Sequence, residues 1–124
     1  MSGTTSHVRV GKLYREFVAA RLRAAGLTEA AARETQARRP AKLSEALAGA
    51  HEGPHGDIVG IPGWSVVSSF RSPMNISRAL DQARIAAALD GSPHWAAVVA
   101  RPGISPEDSY VVTTLDALAE LARA

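Results

Sequence analysis

Trp95-Ala96-Ala97-Val98-Val99-Ala100 is a nearly continuous apolar run held between Pro93 and Pro102. An amphipathic strand would alternate in polarity, so so short a run with no polar side reads as a strand buried on both faces. Such a strand needs elements packed above and below it. The run therefore commits the chain to one sheet carrying helices, an α/β or α+β layer architecture.

The rest of the sequence supplies those elements. Residues 11–26 carry Leu13, Phe17, Ala20 and Ala24 at helical spacing, the expected inward face. Lys12, Arg15, Glu16, Ala19 and Arg23 lie on the other side, and Gly26 suits the left-handed position beyond the last turn. Asn75 is placed to cap a helix over 76–89, with Ile76, Leu80, Ala83 and Ala87 along one face and Gly91 after its end. Thr114 caps a closing helix over 115–123. Asp57-Ile58-Val59 and residues 64–70 read as strands joined in a hairpin at Gly60-Ile61-Pro62-Gly63, and Tyr110-Val111-Val112-Thr113 as a further strand after a turn. Between 28 and 50 the signal is mixed. Thr28 to Ala32 has helix propensity, Pro40 interrupts the pattern, and 41–50 suits a short helix before the loop His51 to Gly56.

With 124 residues, 46% of them hydrophobic, the chain suffices for one domain, expected over 11–124 behind a flexible segment 1–10. The absence of cysteine excludes disulfides, zinc-thiolate sites and thiol nucleophiles. No apolar run is long enough to span a bilayer and the first residues are polar, so no membrane is expected and a cytoplasmic location is. The net charge of +2 hides an asymmetry. Residues 1–42 hold nine Lys and Arg against Glu16, Glu29 and Glu34, a balance of +6, and the remainder is at −4. A basic amino-terminal part suits phosphates, although a charge run is also what any solvated face carries.

His51-Glu52-Gly53-Pro54-His55 has the letters of a zinc-protease motif but not the physics. Its two imidazoles converge only on an intact helix, and Gly53-Pro54 would break one at a cost of about 3 kcal/mol or more for the proline alone. His51, His55 and Asp57 around an ion is the residual metal option. His7 and His94 have no evident partners, no histidine sits beside an identifiable serine nucleophile, and no glycine-rich phosphate loop precedes a helix.

The stretch Gly56-Asp57-Ile58-Val59-Gly60-Ile61-Pro62-Gly63-Trp64-Ser65-Val66-Val67-Ser68-Ser69, followed by Leu80-Asp81-Gln82-Ala83, resembles the PD-(D/E)XK nuclease superfamily. The likeness is to small phage and actinobacterial Holliday junction resolvase-like endonucleases. It runs from Gly11 to the C-terminus and lies in the order and spacing of short motifs. The resemblance implies a restriction-endonuclease-like mixed central sheet flanked by helices, in the order α-β-β-β-α-β-β-α, with a first strand within 32–38. It also implies a homodimer. In that family two carboxylates hold a magnesium ion against the scissile phosphate, and a lysine orients and deprotonates water.

Carried over, Asp57 matches the first carboxylate and the one candidate metal ligand, Glu16 the helix glutamate and Gln82 the helix glutamine. Val67 stands where the second carboxylate belongs and Ser69 where the lysine belongs. Valine binds no magnesium, and a serine hydroxyl is neither a cation nor a base at neutral pH. The expectation is a phage-derived nuclease-fold protein that binds DNA, branched or duplex, without cutting it. Arg9, Lys12, Arg15, Arg33, Arg38, Arg39, Lys42, Arg71 and Arg78 are its expected phosphate contacts. The alternatives are a protein-interaction module that captures or inhibits a host factor, and an active endonuclease with a rearranged site. Magnesium is expected only in the last.

Overall fold

The computed structural model describes residues 3–34, 38–49, 54–70 and 74–124, with the backbone alone for 3–8. In chain order the elements are α1 (Gly3–Ala24), β1 (Ala31–Ala32), α2 (Leu43–Ala48), β2 (Ile58–Val59), β3 (Trp64–Ser69), α3 (Ile76–Asp90), β4 (His94–Val99), β5 (Tyr110–Thr113) and α4 (Leu115–Arg123). The five strands form one mixed sheet in the order β1-β2-β3-β4-β5. Only β3 and β4 are parallel, in register from Trp64 with His94 to Ser69 with Val99. The apolar run is thus an interior strand, as its composition requires.

Side chains alternate across a strand, and the two cores follow from that. Val66 and Val98 pack with Tyr14, Val18, Ala19 and Ile58 beneath α1. Their neighbours Val67 and Val99 pack with Ala79, Ala83, Ala86 and Ala97 beneath α3. Helices therefore cover both faces, and alanines on α3 bring it close to the sheet. Asn75 caps α3 by accepting from the Arg78 amide at 3.0 Å, and Gly91 ends it at φ 70°. Thr114 caps α4 through the Ala117 amide at 3.1 Å.

Three local expectations change. The first helix begins at Gly3 rather than at Gly11 and so runs through most of the segment expected to precede the domain. Its inward face is Tyr14, Arg15, Val18 and Ala19, while Leu13 is 59% exposed and Phe17, Ala20 and Ala24 face solvent. Apolar spacing counts bulk and misses polar tips that find partners inside. The Tyr14 hydroxyl donates to Ser109 Oγ at 2.7 Å, and the Arg15 guanidinium donates to the Arg33 and Glu34 carbonyls, each at 3.3 Å.

The first strand is Ala31–Ala32, at the edge of the expected window, and α2 intervenes before β2. Tertiary pairing overrides the helix propensity of this stretch. Ala31 pairs with Val59 and Ala32 with Ile58, and the Arg33 amide donates to the Asp57 carbonyl at 2.9 Å. Gly60 permits it: at φ +81°, a Cβ there would lie 1.9 Å from the Glu29 carbonyl oxygen.

Burial pushes the Tyr14 phenol above its ordinary value, partly offset by the bond to Ser109. The unfolded chain then gives up this proton at a lower pH than the folded one. The contribution is intact below about pH 10 and is lost as pH rises from there through the folded value. Melting curves recorded by circular dichroism across that range should show a falling midpoint, less steep in Tyr14→Phe. That variant should itself lose about 1 kcal/mol at neutral pH with the hydroxyl's bond.

Candidate functional site

Gly56 sets the position of Asp57. A Cβ on Gly56 would stand 2.8 Å from the Val66 carbonyl oxygen, so only glycine lets this backbone lie against β3. The Asp57 amide then donates to that same Val66 carbonyl at 2.8 Å. Both oxygens of its carboxylate are engaged: Oδ2 accepts from the Ser68 amide at 2.9 Å, and Oδ1 from Arg39 Nη1 at 3.3 Å.

Arg39 arrives from the segment before α2 and donates twice more, from Nη1 to the His55 carbonyl at 2.9 Å and from Nε to Gln82 Oε1 at 3.2 Å. The two charged side chains are 5% and 1% exposed. Asp57 and Gln82, far apart in sequence, are thus brought together by an arginine. Beside them opens a cleft of about 550 Å³ lined by Arg39, Ala41, Asn75, Ser77, Arg78, Asp81 and Gln82.

The other positions matched to the nuclease pattern do not join this group. Glu16 is exposed on α1, 3.9 Å from Lys12 Nζ. Val67 is 2% exposed and belongs to the apolar cluster under α3. Ser69 is half-buried on β3, where its carbonyl accepts from the Ala100 amide at 2.7 Å. Magnesium does not fit these residues. It demands near-octahedral oxygen coordination, whereas both Asp57 oxygens are engaged, Val67 offers no donor, and a guanidinium holds the adjoining space. Among the described residues no three His, Asp or Glu side chains converge to hold a metal.

A second polar cluster fixes the loop before Asp57. Asp90, at the end of α3, accepts from the His55 amide at 2.9 and 3.1 Å and from Ser65 Oγ at 2.9 Å, and lies 2.7 Å from His55 Nδ1. Ser65 and Ser92 hydroxyls are 2.8 Å apart. His55 is buried beside Asp90, while His51, the other histidine of the ion option with Asp57, lies outside the described residues. His94 also has a partner: Nε2 is 2.7 Å from Glu120 Oε2 on α4, and its ring lies tilted by 36° against Trp64, with centroids 4.9 Å apart.

The expected phosphate contacts divide. Arg9, Arg38, Lys42 and Arg78 are exposed. Lys12 Nζ bonds Glu34 Oε1 at 2.6 Å, which raises the lysine's pKa and lowers the carboxylate's, so this charge is engaged at the surface. Arg33 donates to the Pro54 carbonyl. Arg15 and Arg39 are turned inward to carbonyl and carboxylate partners, and Arg71 lies outside the described residues. Nothing in Arg38-Arg39-Pro40 marks which arginine turns in. The Asp90 cluster joins positions 25 and 35 residues apart and has no local signature either.

The chain matches no family model, no curated protein and no solved structure. No helix among the described residues is long and apolar enough to cross a membrane.

Proposed function

We propose that this protein is a nuclease-like scaffold that binds DNA, duplex or branched, and does not cut it. The observation that carries this is the convergence of Asp57, Arg39 and Gln82 beside an open cleft, next to a buried Val67. The order of elements supports it: a helix, three antiparallel strands with α2 inserted between the first two and the hairpin after Gly56-Asp57-Ile58, then α3 leading to a strand parallel to β3. A carboxylate salt-bridged to arginine, with an aliphatic neighbour, offers neither a metal seat nor a base for water. Exposed Arg9, Arg38, Lys42 and Arg78 provide sequence-independent phosphate contacts.

Fluorescence anisotropy with a labelled duplex and a four-way junction tests the binding. Affinity should fall linearly with salt on a log-log scale, by about 0.9 in slope for each phosphate neutralised. Absence of binding to both probes at low salt contradicts the reading.

Exposed apolar side chains favour a second reading, a module that binds protein. Val10, Leu13 and Phe17 line α1, and Leu115, Leu118 and Leu121 line α4, with Leu115 81% exposed. Exposed apolar helix faces of this kind mark association. It also suits a homodimer with an isologous interface. Sedimentation should give a dimer mass that Leu118→Glu converts to the monomer. A monomer at micromolar concentration would remove the homodimer.

A further inference from the structure

A divalent ion between two carboxylates is locally neutral, yet it still presents a cationic centre to a phosphate oxygen. Here one guanidinium lies against one carboxylate, Arg39 Nη1 to Asp57 Oδ1 at 3.3 Å, which reaches the same neutrality without an ion. Arg39 spends Nε on Gln82 and Nη1 on Asp57 and the His55 carbonyl. Among the described residues Nη2 makes no hydrogen bond. Arg39 lines the cleft, with its side chain 5% exposed. Its fork is held rigidly by three acceptors, so little side-chain freedom remains to be lost when a fourth arrives.

Arg78 lines the same cleft from the first turn of α3. It is exposed, and its guanidinium makes no hydrogen bond or ion pair among the described residues. The amino terminus of the 15-residue α3 adds partial positive charge on this side. One group opposes an anion, the Asp81 carboxylate in the cleft lining.

We propose that the cleft seats one phosphodiester of a DNA strand between Arg39 and Arg78 without a metal ion, Arg39 supplying the cationic centre. This rests on the DNA-binding reading and specifies how the site works. Arginine suits the task because its planar fork meets phosphate oxygens directly and keeps its charge at any physiological pH.

The test is anisotropy of a labelled DNA duplex, in EDTA and then with EDTA replaced by low-millimolar magnesium under excess monovalent salt. The wild-type Kd should agree within about twofold between the two. Because Arg39 is buried and its loss endangers folding, the variants are the exposed lining residues. Arg78→Ala should weaken binding about five- to tenfold and reduce the salt slope by about one, and Asp81→Asn should tighten binding. Arg123→Ala, on α4 away from the cleft lining, should change nothing. A many-fold gain on adding magnesium would show that an ion, not Arg39, carries the charge, and would overturn the inference. Unchanged affinity in both Arg78→Ala and Asp81→Asn would place DNA elsewhere and overturn it while leaving DNA binding intact. Failure of the wild type to bind would remove both readings.

Discussion

Asp57→Ala is expected to destabilise the protein by about 3–5 kcal/mol, lowering the melting temperature by roughly 10–20 °C. Deleting the carboxylate leaves the buried Arg39 guanidinium without its counter-charge and the Ser68 amide without an acceptor. The large figure is the penalty of an uncompensated buried charge, not the net worth of the pair. Replacing both partners, as in Arg39→Met with Asp57→Leu, should therefore recover most of the loss. Urea unfolding of the two single variants and the double variant measures this. Equal or additive losses in the double variant would mean that the pair is not what the single substitutions expose. Lost activity in Asp57→Ala would thus not identify a metal ligand unless the variant is shown to be folded.

Gly60→Ala should cost about 2–5 kcal/mol. The left-handed conformation at φ +81° is unfavourable for any residue with a Cβ, and that Cβ would lie 1.9 Å from the backbone oxygen of Glu29, which cannot swing aside. Gly26→Ala separates the two causes. Gly26 also has positive φ, 110°, but nothing lies within 4 Å of its would-be Cβ, so only the conformational part, about 1–2 kcal/mol, should be lost. Hydrogen exchange should show Gly60→Ala opening β1 from β2 while α3 and β4 stay protected. Protection retained at β1 would contradict the steric account.

The layer architecture is legible because periodicity, caps and punctuation agree. The Trp95–Ala100 run, Asn75 before α3, Gly91 after it and Thr114 before α4 all act locally, and each has its expected place. The inward face of α1 is not legible from apolar spacing, since Tyr14 and Arg15 bury polar tips against Ser109, Arg33 and Glu34, none of which is near in sequence. β1 is a strand because Gly60, 28 or more residues away, allows the approach that pairs it with β2. At the candidate site the resemblance points to Asp57 and Gln82, which share one hydrogen-bonding partner. Arg39, expected among the phosphate contacts, is the residue that joins them.

The position of Val67 also bears on attempts to restore a complete nuclease pattern. A glutamate there would enter an apolar cluster of Ala79, Ala83, Ala97 and Val99, where an unpaired carboxylate is costly. Val67→Glu with Ser69→Lys is expected to lower stability by more than either exposed arginine substitution. Thermal melts of the double variant, before any cleavage assay, give that result directly.

The central claim is DNA binding without cleavage, and the most direct measurement incubates the natural protein with a labelled four-way junction in magnesium and in manganese. One aliquot is resolved on a native gel and the other on a denaturing gel. The account predicts a salt-sensitive shifted complex with the junction strands intact in both metals. Metal-dependent strand scission by the natural protein, or no complex at low salt, would contradict it.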